Sequence, residues 1–81
     1  MAKVIVPEGL RRFTAGASHV EIEASNVRQL IHELDRRYPG VGAQLRAGMA
    51  VAIDGEIFQE PLLEPLQPDS EIHFLPAIGG G

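Results

Sequence analysis

Asn26-Val27-Arg28-Gln29-Leu30-Ile31-His32-Glu33-Leu34-Asp35-Arg36-Arg37-Tyr38-Pro39-Gly40 is the stretch on which the fold turns. Val27, Leu30, Ile31 and Leu34 recur at the i, i+3, i+4, i+7 spacing that lines them up on one stripe of a helix. Arg28, His32, Glu33, Asp35 and Arg36 fall mainly on the other faces. Ser25 or Asn26 opens the helix, and Asn26 with Gln29 has capping-box spacing, Asn standing in for the usual Ser or Thr. Arg36 and Arg37 sit in the last turn, where cations suit the negative end of the dipole. Pro39-Gly40 stops it. The spacing predicts one amphipathic helix over residues 26–38.

Strand patterns lie on both sides of it. Residues 2–6 are, Lys3 apart, apolar and mostly β-branched, bounded by Pro7 and Gly9. Gly9 to Gly16 reads as a loop carrying Arg11, Arg12 and Thr14. His19-Val20-Glu21-Ile22-Glu23 alternates as a half-buried strand does, so the first two strands form a hairpin. After the helix, residues 41–47 fit a short second helical turn. Met49-Ala50-Val51-Ala52-Ile53 reads as a strand, Asp54-Gly55 as a hairpin turn and Glu56-Ile57-Phe58 as the return arm. Pro61, Pro65 and Pro68 make residues 59–70 mostly connection, and Pro68-Asp69-Ser70 has turn chemistry. Glu71-Ile72-His73-Phe74-Leu75 is a last strand, closed by Pro76. The order predicts an α+β roll: a mixed sheet of four to five strands with one main helix packed across it. Its core is expected from Val4, Val6, Val20, Ile22, Val27, Leu30, Ile31, Leu34, Val51, Ile53, Ile72 and Phe74. Residues 1–76 form the folded domain and 77–81 a flexible tail.

Bulk properties narrow the function. The chain has 81 residues, enough for one small domain but not for a deep cleft. It has no cysteine, which excludes a disulfide framework, a thiolate metal site and a cysteine nucleophile. Its start has neither the apolar run of an export signal nor, anywhere, the ~20 apolar residues of a membrane span; the expected location is cytoplasmic. The net charge of −4 argues against nucleic acid, because that partner demands a basic patch. Residues 1–50 carry seven bases against five acids, while 51–81 carry six acids and no Lys or Arg. Such asymmetry either steers a charged partner or is simply a solvated face.

No ordinary active site emerges. His19, His32 and His73 lie on separate elements without ligand-like spacing, so no metal is expected. Ser18, Ser25 and Ser70 lack a nucleophile-elbow context; Ser25 suits a helix cap and Ser70 a turn. Asp54 and Glu56 flank a turn glycine. The exception is the tail, Ala77-Ile78-Gly79-Gly80-Gly81. Consecutive glycines contribute no packing and carry maximal chain entropy. They do allow a chain to enter a narrow channel and present its carboxylate closely to an ATP phosphate. Composition alone leaves both a frayed end and a reactive end open.

The run Pro68-Asp69-Ser70-Glu71 through Phe74-Leu75-Pro76-Ala77-Ile78-Gly79-Gly80 resembles the closing signature of the MoaD/ThiS family of sulfur carriers. Ile53-Asp54-Gly55-Glu56 and Tyr38-Pro39-Gly40 resemble other parts of that pattern, in the same order. The loop Leu10-Arg11-Arg12-Phe13-Thr14-Ala15-Gly16 looks like that of a subset including the cysteine-biosynthesis type. The family usually ends in Gly-Gly, and this chain adds Gly81. The resemblance implies a β-grasp, ubiquitin-like fold and a carrier that is not itself an enzyme. An E1-like partner would adenylate the terminal glycine with ATP. The reacting residue is then Gly81, or Gly80 if a peptidase removes Gly81, with Gly79, Ile78 and Ala77 as the tail. A persulfide, rhodanese or cysteine-desulfurase donor would supply sulfur, giving a thiocarboxylate. A synthase would accept it for molybdopterin, thiamin thiazole, cysteine or a related product. No cofactor is bound permanently. Two other readings stay open: a ubiquitin-like modifier joined to lysines through its terminal glycine, and a non-catalytic interaction module.

Strand alternation adds a surface. If the core residues face the helix, Ile5, Ala50, Ala52, His73 and Leu75 face away. They are expected to form a shallow apolar patch for the partner, rimmed by the acids of residues 54–71.

Overall fold

The apolar stripe of the helix and the inward residues of the strands meet on one side of a five-stranded sheet. The computed structural model describes residues 1–46, 49–59 and 63–75. Strands β1 (Ala2–Ile5), β2 (His19–Ile22), β3 (Ala50–Ile53), β4 (Glu56–Phe58) and β5 (Glu71–Leu75) are ordered β2-β1-β5-β3-β4. Only the central pair β1–β5 is parallel; the other three pairings are antiparallel. The first and last strands of the chain thus lie side by side, and helix α1 (Val27–Arg37) joins the two halves across one face. All twelve residues expected in the core are buried. Ala2, Leu10, Val41, Leu45 and Leu66 join them.

The helix ends follow their chemistry. Asn26, not Ser25, is the cap: its Oδ1 accepts a 2.8 Å bond from the Gln29 amide. Gln29 reaches back, but its Oε1 accepts from the Ser25 amide at 2.6 Å, one residue earlier than in the usual box. Residues 64–66, expected as mere connection, brace the same end. The Val27 amide donates to Glu64, the Leu66 amide donates to the Ser25 carbonyl, and Asn26 bridges Pro65. Asn26→Ala is expected to cost about 1 kcal/mol of stability, measurable as a lower urea midpoint with unchanged slope.

The stretch after β1 differs from expectation. Instead of a plain loop, Glu8–Phe13 forms a 3-10 helix. Its Leu10 and the following Thr14 are buried, so the connection has its own apolar anchor. Thr14 Oγ1 bonds the Ala17 carbonyl at 2.9 Å, and Arg11 Nε donates to the Val6 carbonyl. Ala15 and Gly16 take positive φ, and the Gly16 amide closes back onto Arg11, a Schellman-like ending. Phe13 then meets Gly40 (φ +102), where an added Cβ would lie 3.3 Å from the ring. Helix α2 (Val41–Arg46) follows, its start held by Asp35 Oδ1, which accepts from the Gly40 and Gly42 amides.

Asp54-Gly55 forms the expected tight turn, both residues at positive φ, the two-residue type whose twist suits a hairpin. Asp54 does more than turn the chain. Its Oδ1 accepts from the Glu71 amide, and its own amide donates to the Glu71 carbonyl, both at 2.9 Å. Its carboxylate clamps the start of β5, as a structural residue does.

Candidate docking face and tail exit

Strand β5 decides where the tail begins. It is the middle strand of five and runs from Glu71, beside Lys3, to Leu75, beside Ala50. Residues 76–81 follow directly. Ala77, Ile78, Gly79, Gly80 and Gly81, and the proposed domain boundary at 76, lie outside the described residues. The tail is therefore continuous with the best-supported strand of the sheet.

The sheet registers place the expected surface residues in one array. His73 on β5 stands between Ile5 on β1 and Ala52 on β3, its partner on either side. The same row extends outward to His19 on β2 and to Ile57 on β4. Leu75 and Ala50 form the next row toward the tail. Neither Ala50, Ala52, Ile5 nor Leu75 belongs to the core packed against α1. The face away from the helix thus brings together all five residues that alternation assigned to it.

Its relief differs from the patch expected. Ala50 and Ala52 are only 2% and 8% exposed, each a methyl group beside larger cross-strand partners. Leu75 flanks Ala50, and His73 and Ile57 flank Ala52. They form a floor. Ile5 and Leu75 are half-buried, while Ile57, at 56%, supplies the exposed apolar surface. Ile57 was missed, although a signal existed. Counting outward from the two-residue turn pairs Ile53 with Glu56 and Ala52 with Ile57, which puts Ile57 on the outer face.

The acids do not ring this face evenly. Glu71 and Glu21 flank Lys3 in register at one end, with Asp54 clamped to Glu71 beside them. Glu56 shares its register with Ile53 and so belongs to the helix side of the edge. Among the described residues of 54–71, the outer-face charge collects at the end away from Leu75. His73 Nε2 lies 3.7 Å from Glu71 Oε1, tying the middle row to that acidic end.

A well-formed groove lies elsewhere. Met1, Ala2, Ile22, Ser25, Gln29 and Leu66 line it at the Glu71 end of the sheet, the end opposite Leu75. Among the described residues no three His, Asp or Glu side chains gather as metal ligands. None of their helices is long and apolar enough to cross a membrane.

Comparison with known proteins agrees with this architecture. The family model of the ThiS family matches residues 4–81. No curated protein matches the sequence. Among solved structures, the Amycolatopsis orientalis BexX/CysO complex contains a chain 26% identical, with a TM-score of 0.87 and all of both chains covered. Mycobacterium tuberculosis CysO, an antigen, is 20% identical at TM-score 0.87, covering 96% of this chain and 100% of its own. The small archaeal modifier protein 1 of Methanosarcina acetivorans is 22% identical at TM-score 0.81, covering 99% and 95%. The roll with a parallel central pair is the β-grasp fold that these proteins share.

Proposed function

The chain belongs to the ThiS family, a family of ubiquitin-like sulfur carriers, and on that footing we propose that it carries sulfur on the carboxylate of its glycine tail. The observation that supports this most is the extent of the family match, which runs through the tail to residue 81. The geometry is compatible: the middle strand β5 is the last described element before the tail in sequence, and its Leu75 lies on a face able to hold a partner.

A carboxylate is a poor electrophile, so the tail needs activation. Its oxygen attacks the α-phosphorus of ATP on an E1-like enzyme, and pyrophosphate leaves. The resulting acyl-adenylate is attacked by a persulfide sulfur, and AMP leaves. A thiol then cleaves the sulfur–sulfur bond, which frees the thiocarboxylate for a sulfur-accepting synthase. The carrier supplies the end and the docking face; the chemistry belongs to its partners. CysO, 26% identical, assembles with BexX, which supports action within a complex.

The test is intact mass after incubation with the activating enzyme of the same organism, ATP and a sulfur donor. The expected product has one oxygen replaced by sulfur, on Gly81 or, after trimming, on Gly80. A mass that stays unchanged, or that rises only by isopeptide linkage to a lysine of another protein, would sink the carrier reading. The second outcome would identify a modifier.

A further inference from the structure

The helical side of the molecule carries a feature that the tail and the sheet face leave unused. Asn26, Arg28, Gln29 and His32 of the first turns of α1 line a groove together with Arg46 at the end of α2. The two helices come together there because α2 folds back after the turn at Gly40. Arg28 and His32 stand one turn apart on the same face of α1.

The polar ends offered by this groove are mostly donors. Arg28 and Arg46 are guanidiniums, which donate only. Asn26 and Gln29 are amides whose oxygens each already accept one backbone bond: Oδ1 from the Gln29 amide and Oε1 from the Ser25 amide. Their free ends are the NH2 groups. His32 offers one N–H when neutral and two when protonated. No Asp or Glu is among the lining residues. Among the described residues neither Arg28 nor Arg46 makes an ion pair, whereas Arg36 on the same helix is bonded to Glu33 at 3.0 Å. In a chain of net charge −4, a surface of donors without a carboxylate is complementary to anions.

We propose that this groove is a second docking surface, which takes a carboxylate-rich segment of a partner protein. A lone phosphate is the poorer fit. The donors extend from Asn26 to His32, more than one turn and so roughly 9 Å along the axis, and onto a second helix. One tetrahedral ion cannot reach them all; successive Asp or Glu side chains can, with guanidiniums meeting carboxylates in paired bonds. The groove lies on the helix side of the sheet, opposite the face that holds Ile5, His73 and Leu75. A carrier docked by its sheet can therefore hold an acidic partner at the same time. This inference does not depend on the sulfur chemistry.

The test is an amide-shift titration of the isotope-labelled full chain with a hexaglutamate peptide at low salt. Shifts are expected at Asn26, Arg28, Gln29, His32 and Arg46, fading as salt screens the contact. Arg28→Glu combined with Arg46→Gln should weaken binding about tenfold or more, since it removes two exposed charge contacts and adds a repulsion. The rest of the spectrum should stay in place, which reports an intact fold. Arg36→Glu, at an arginine already paired, should change binding little. Three results would overturn the proposal: shifts spread over Arg11, Arg12 and Arg36 instead; equal binding by the double variant; or the same shifts at equal concentration from inorganic phosphate alone, which would make the groove a small-anion site.

Discussion

Removing Gly79-Gly80-Gly81 is expected to abolish thiocarboxylate formation completely while the protein folds and docks as before. Every covalent step in the proposed cycle takes place on the terminal carboxyl group or on the sulfur it carries, so the loss is not graded. Shortening moves that carbonyl back by about 10 Å of extended chain, and it replaces glycine with Ile78 at the reacting position. A branched side chain there obstructs the close approach that adenylation needs. Docking should survive because the face around Ile5, His73, Leu75 and Ile57 is assembled by the sheet registers, not by the tail. The measurement is paired: intact mass for the sulfur exchange, and affinity for the activating enzyme by calorimetry. Sulfur transfer by the truncated chain would refute the tail mechanism. Deletion of Gly81 alone separates the two candidate termini: activity retained assigns the chemistry to Gly80, and activity lost assigns it to Gly81.

Periodicity made the fold readable, and it failed where periodicity is silent. The stripe Val27, Leu30, Ile31, Leu34 and the alternating strands name their partners by spacing, because a buried face must be continuous. The Asp54-Gly55 hairpin is legible because its backbone demands residues that tolerate positive φ. Leu10 and Thr14 are single buried residues in a non-repeating segment, so no pattern marks the 3-10 helix around them. Leu66 is buried by a long-range partnership with the start of α1, as a local reading cannot show. On the candidate face, alternation identified the direction of Ala50 and Ala52 but not their depth. Depth depends on the sizes of cross-strand neighbours, and so on the register. The donor-lined groove was hidden for a related reason: Arg28 and Arg46 lie 18 positions apart, and only the fold-back of α2 unites them.

Leu75→Arg should weaken binding of the activating enzyme by about 30-fold or more, the effect of losing a central apolar contact of about 2 kcal/mol. Leu75 ends the middle strand, is half-buried and covers Ala50. It stands outside the core packed on α1, so the substitution should leave stability within about 0.5 kcal/mol. A guanidinium there would have to be desolvated in any close apolar contact, and among the described residues the face sets no carboxylate in register beside Leu75. Glu71, Glu21 and Asp54 all lie at the far end of the sheet. Ile57→Arg, at the exposed edge of the next row, should weaken docking less, because rim residues are near-neutral compared with buried centres. The ranking is the sharper test. A partner that contacts the face centrally must feel Leu75 more than Ile57. Wild-type affinity for Leu75→Arg would remove this face from the docking model while leaving the chemistry of the tail untouched. An effect confined to Ile57 would move the interface to the β4 edge.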